Sequence, residues 1–185
     1  MLHMEQKDYK LEIIDSLLKK QEHVRSIAKK FKINHMIIFR KIKELYNENV
    51  VDYSEEGKNK VYFLKKTPEA KASVFITENY KLNKLLKNHP FLRRIVEKVQ
   101  KNKKIRMAVL FGSYAKGLEK KDSDIDIYIE TSNRDIKKEL EILNSNLNVK
   151  IGKYDKENLL IREIEKNHIL LKGVEEFYEK YKFFN

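Results

Sequence analysis

Apolar residues recur at helical intervals along the first hundred positions, and the chain then switches to the two-residue period of strands. Over 11–20 (LEIIDSLLKK), Leu11, Ile14, Leu17 and Leu18 form one stripe, and Val24, Ile27, Ala28 and Phe31 repeat it over 23–31. After a break at KIN, Asn34 is placed to cap a third helix, HMIIFRKIKELYNEN, whose core positions are Ile38, Ile42 and Leu45. VVDYSEEGKNKVYFLKK then reads as two β-prone runs joined through Gly57, a hairpin. Thr67-Pro68-Glu69 is a helix start, with proline at the first helical position. Helical stretches over 69–87 and 91–103 follow, broken at Asn88-His89-Pro90.

From Ile105 the pattern predicts a different layout. IRMAVLF is too continuously apolar for a one-sided sheet and reads as a strand buried on both faces. DIDIYIE alternates, with Ile125, Ile127 and Ile129 on one side and Asp124, Asp126, Tyr128 and Glu130 on the other. A helix over 134–144, a strand at LNVKIGKY and a helix over 156–167 follow. The last stretch, HILLKGVEEFYEKYKFFN, reads as an apolar turn and a final amphipathic helix. The whole is α+β, divided as 1–66, a helical connector at 67–89, and a mixed sheet with flanking helices over 90–185.

Charge sharpens this division. The 185 residues carry a net +12, but residues 1–66 hold 15 basic against 10 acidic side chains, residues 67–104 hold 10 against 3, and residues 105–185 hold 15 of each. All the excess lies before Ile105, which points to a front half facing a polyanion; a lysine-rich solvated surface is the alternative. Zero cysteines excludes disulfides and thiolate metal sites. No apolar run reaches the ~20 residues of a membrane span, and MLHMEQKDYK is too polar for a secretory signal, so a cytoplasmic protein without membrane association is expected.

The chemistry concentrates in LFGSYAKGLEKKDSDIDIYIE, residues 110–130. On one strand, Asp124 and Asp126 share a side with Cα atoms roughly 6.5–7 Å apart. Carboxylates that close repel unless a cation lies between them, and Mg²⁺ favours such oxygens while keeping room for phosphate. Gly112-Ser113 follows a buried strand, where glycine permits close backbone approach, helix-start amides cradle an anion and the serine hydroxyl adds a donor. Gly117 turns the loop back, and the ten residues from Tyr114 to Ser123 suit that return. A phosphate cradle facing a metal-binding pair is the equipment of phosphoryl transfer.

Gly112-Ser113, ten residues, then Asp124-x-Asp126 resembles the DNA polymerase β-type nucleotidyltransferase superfamily, and more narrowly its minimal prokaryotic members, over about 90–185. The resemblance implies transfer of a nucleoside monophosphate from an NTP, ATP being the expected one, to a protein or nucleic-acid acceptor. Asp124 and Asp126 would be catalytic metal ligands in a site for up to two Mg²⁺ ions, with Gly112 and Ser113 binding nucleotide. Active members usually add a third carboxylate within an apolar-Asp-apolar triplet. Here the expected triplet is Val149-Lys150-Ile151, with Lys150 in that place, and Glu130, Asp155 or Glu157 are the substitutes to consider. A protonated lysine neither ligates Mg²⁺ nor acts as a base. Turnover therefore stays open.

Residues 11–66 resemble the winged helix-turn-helix domains of prokaryotic regulators, which put the start of the third helix into the major groove of double-stranded DNA. Asn34, His35, Met36 and Arg40 are the candidate base readers, and Lys43, Lys58 and Lys60 the phosphate contacts. Such domains also serve as protein-interaction modules. Chains carrying both modules include antitoxins and regulators. Two readings follow: a transferase coupled to a DNA-binding domain, or a DNA-binding regulator or antitoxin whose degenerate transferase domain binds nucleotide or a partner, such as a toxin. A homodimer is left open.

Overall fold

A computed structural model describes residues 7–184. The first helix, α1 (Tyr9–Lys19), starts where Asp8 accepts hydrogen bonds from the Lys10 and Leu11 amides, and it buries Ile13, Ile14 and Leu17. Helix α2 (Val24–Phe31) ends on Lys32 in the left-handed conformation, and Asn34 caps α3 (His35–Asn47) through the Met36 amide at 2.8 Å. Ile27, Ile38, Ile42 and Leu45 are all buried. Strands β1 (Val51–Glu56) and β2 (Asn59–Leu64) form an antiparallel hairpin. The α1–α2 link joins it through Glu22 and Tyr62, whose backbones exchange hydrogen bonds of 3.1 and 2.9 Å. Three helices and a hairpin extended by that bridge form a winged helix-turn-helix.

Helix α4 (Pro68–Asn88) follows, capped by the Thr67 hydroxyl, which accepts from the Ala70 amide. The chain divides into two compact units inside α4, at Thr77 and Glu78. After a 3₁₀ turn (Pro90–Leu92) come α5 (Arg93–Lys101), β3 (Ala108–Phe111) and α6 (Gly112–Lys116). Next are β4 (Ile125–Glu130), α7 (Arg134–Glu141), β5 (Leu147–Gly152), α8 (Leu159–Lys166), β6 (Ile169–Lys172) and α9 (Val174–Tyr181). The sheet order is β5-β4-β3-β6, with β4 and β5 parallel and both pairings of β3 antiparallel. On one face Ile125, Ile127, Ile129, Leu110 and Val149 pack with Leu82, Leu85, Val96, Val99 and Ile136. Val109, Tyr128 and Leu170, pointing the other way, are equally buried. The fold is α+β with a mixed sheet. The apolar turn expected at HILL is β6, and β3 is shorter than the apolar run that predicts it.

The C-terminal unit also encloses a charged cluster. Glu78 is fully buried and accepts from the Tyr178 hydroxyl at 2.8 Å, with His168 Nε2 at 3.3 Å and Lys81 Nζ at 2.9 Å. Burial alone would raise the Glu78 carboxyl, but the charges of Lys81 and His168 and their hydrogen bonds outweigh it and hold it at about 2. Nδ1 of His168 lies 2.8 Å from the Ile164 carbonyl, which accepts from it.

Candidate functional site

The antiparallel register of β3 and β4 sets Phe111 beside Asp126, so the next residue, Gly112, arrives at the carboxylate. Gly112 has a φ of 71°, and a Cβ there would lie 2.5 Å from Asp126 Oδ2 and 3.3 Å from Cγ. A side chain here would push this carboxylate aside, so glycine suits both the conformation and the close approach. Gly112 opens α6, whose leading amides have no acceptor within the helix and receive no side-chain cap. Half-buried Ser113 is the second residue of that turn. Gly117 ends α6 at a φ of 65°, and the Leu118 amide donates to the Ser113 carbonyl at 3.0 Å, turning the loop toward β4.

Asp126 is partly buried, and its carboxyl is held above the ordinary carboxylate range. Burial is the main cause. A hydrogen bond from Asn148 pulls it down, exposed Asp124 pushes it up, Lys150 lowers it and Glu163 raises it. The donor is Asn148 Nδ2, 2.8 Å from Asp126 Oδ1. Asp124 stands one residue before β4 begins. A half-buried carboxylate raised by an acidic neighbour is a place where a cation relieves repulsion. Two carboxylates beside open backbone amides fit one Mg²⁺ that keeps its remaining positions for water and phosphate. Among the described residues no group of three or more His, Cys, Asp or Glu could hold a metal ion.

The parallel register of β4 and β5 decides what stands beside Asp126. It is Asn148, whereas Lys150 pairs with Tyr128 one step further along and is exposed. The expected triplet Val149-Lys150-Ile151 is thus displaced by Leu147-Asn148-Val149: the position adjoining Asp126 holds an amide. The proposed substitutes are engaged elsewhere. Glu130 accepts from Lys180 Nζ and the Tyr154 amide, Asp155 from the Glu157 amide, and Glu157 pairs with Arg162. The acid that does act on Asp126 is Glu163 of α8, paired with Lys116 of α6 at 2.7 Å. Asn148, Glu163 and Lys116 had no signal in the motif. Only strand alternation through LNVKI offered one, since it sets Asn148 and Lys150 on the same side.

In the N-terminal unit the structure leaves His35, Met36, Arg40 and Lys43 exposed on α3, with Lys58 and Lys60 exposed on the hairpin. Asn34 is also exposed, but its side-chain oxygen is engaged in capping α3. Lys60 Nζ lies 3.7 Å over the Tyr53 ring. The same face is partly apolar: Ile37, Phe39 and Tyr46 are also exposed, Tyr46 having had no signal in the sequence.

Residues 93–176, just under half of the chain, match the family model Polymerase beta, Nucleotidyltransferase. No curated protein sequence matches the chain. Among solved structures, it is similar to the adhesin competence repressor of Streptococcus pyogenes, at 15% identity and a TM-score of 0.41, covering 50% of this chain and 69% of that one. It is also similar to the transcriptional repressor BigR of Xylella fastidiosa, at 14% identity and a TM-score of 0.34, covering 48% and 78%. A toxin-antitoxin structure with AMP-PNP gives 19% identity, a TM-score of 0.34 and coverage of 58% and 86%. Among the described residues no helix is long and apolar enough to cross a membrane.

Proposed function

We propose that the protein couples a DNA-binding winged helix to a site that takes an Mg²⁺-bound nucleoside triphosphate, ATP in the first instance, and transfers its nucleoside monophosphate to a protein or nucleic-acid acceptor. The observation that carries this is the seating of the Asp126 carboxylate against the backbone of Gly112. Gly112 and Ser113 hold phosphate oxygens, by amides and by the serine hydroxyl. Asp124 and Asp126 would hold the ion. Once bound, Mg²⁺ neutralises charge on the triphosphate. The acceptor hydroxyl oxygen bonds to the α-phosphorus as the α–β phosphoanhydride bond breaks, its proton is released to water, and pyrophosphate leaves. His35, Met36 and Arg40 face bases, and Lys43, Lys58 and Lys60 supply salt-dependent contacts to phosphate.

A second reading is favoured by Asn148. An amide beside Asp126 withholds a third carboxylate, which suits a regulator or antitoxin that binds nucleotide or a partner protein without turnover. The test is to incubate the protein with each labelled NTP and Mg²⁺, alone and with candidate acceptors. Pyrophosphate release abolished by Asp124→Asn and Asp126→Asn establishes transfer. Saturable nucleotide binding with no release under any acceptor selects the regulator.

A further inference from the structure

Two concavities flank α3 on the hairpin side, about 230 and 500 Å³ in volume. They share Phe39, Lys60 and Tyr62, so they form one groove between the helix and the hairpin. Its lining alternates aromatic and basic groups. Phe39 and Tyr46, seven residues apart on α3, are 44% and 47% exposed, with Lys43 between them. Arg25, Lys58 and Lys60 line the same groove. The ring of Tyr53 lies under Lys60, and Tyr62 is buried, which leaves Phe39 and Tyr46 as the rings with open area. Seven helical residues separate those two Cα atoms by roughly 10 Å.

From this arrangement we infer that the groove binds an unpaired nucleobase with its flanking phosphates, as a single strand of nucleic acid presents them. Every base has a π-face to lay on an aromatic ring, and a cationic groove follows the backbone without reading sequence. Duplex DNA hides those faces in its own stack. A protein partner would meet a groove rich in cations, with the hairpin carboxylate Glu55 paired in register with Lys60. The inference rests on the winged helix binding nucleic acid, and narrows the form it takes there.

Fluorescence anisotropy of the full chain tests it with a labelled mixed-sequence single strand and its blunt duplex as probes, and AMP as competitor. The variants are Phe39→Ala and Tyr46→Ala, exposed positions whose melting curves should match the parent, with Lys43→Gln as a charge control. Each ring deletion is expected to weaken single-strand binding by about thirtyfold, the middle of the range for one stacked base, and to leave duplex binding within about twofold. Lys43→Gln should weaken both probes together. AMP displacing the strand at equal concentration would identify free nucleotide as the source of the same base-and-phosphate chemistry. Equal losses on both probes, or binding of the duplex alone, would overturn the inference while leaving the DNA-binding domain standing. No binding to any probe at low salt would remove that domain assignment as well.

Discussion

Replacing Gly112 by alanine should separate a site built around Asp126 from a merely tight turn. Two costs are involved. One is conformational, since an L-residue at a φ of 71° pays about 1–2 kcal/mol. The other is steric: the new methyl at 2.5 Å from Asp126 Oδ2 drives the carboxylate away and breaks its hydrogen bond from Asn148. A bond to a charged group is worth about 1.5–3 kcal/mol. Gly117 provides the control, because its φ is 65° but nothing lies within 4 Å of a Cβ built there. Gly117→Ala should therefore pay only the first cost, and Gly112→Ala about 2 kcal/mol more. Thermal melts of the C-terminal unit should differ by about 10 °C between them, at the 4–8 °C per kcal/mol of a domain this size. Removing the obstruction in Gly112→Ala/Asp126→Ala should recover part of the loss, a coupling of about 2 kcal/mol. The reasoning fails if the two alanine variants melt together, or if the effects in the double variant simply add.

Further expectations concern charge. A carboxyl raised in the folded state takes up protons on folding, so its cost to stability appears as pH climbs above its ordinary value and persists at neutrality. Asp126→Asn should therefore melt higher than the parent at pH 7, with the gap closing near pH 3.5, and Mg²⁺ with ATP should raise the melting temperature of the parent only. Asn148→Asp should lower stability in chelator and enlarge the stabilisation by Mg²⁺; an unchanged response in a metal titration would show that β5 stands outside the site. Glu78 is depressed to about 2, so its contribution is complete above its usual 4.5 and fades as pH falls toward 2. Glu78→Gln should cost about 3–5 kcal/mol at neutral pH and flatten that acid limb in urea titrations. Lys43→Gln and Lys58→Gln should each reduce the slope of log K against log salt for duplex binding by about 0.9.

Much of this architecture was readable along the chain because local periods suffice for it. The stripe through Ile38, Ile42 and Leu45 and the alternation of DIDIYIE each name a buried face without knowledge of any partner. The third strand of the site was different. Its pairing is parallel and reached through α7, so no turn residue fixes the register, and a slip of two residues exchanges Asn148 for Lys150 at Asp126 while keeping every apolar side chain inward. Strand β6 was missed because four residues are too few to display a period; it is a strand because β3 offers an open edge. Glu78, deep in α4, has nothing around it in sequence to mark it as buried, since the partners that make burial tolerable, His168 and Tyr178, are 90 and 100 residues away.

The enclosed carboxylate of Glu78 also governs how the chain can be cut for separate study. A C-terminal piece starting at the proline of the 3₁₀ turn would discard Glu78, Leu82 and Leu85 together. The Tyr178 hydroxyl and the His168 imidazole would then face an apolar hollow with no acceptor between them. Excision upstream of Thr67, carrying all of α4 with its natural cap, keeps Glu78 together with the hydroxyl and imidazole that enclose it.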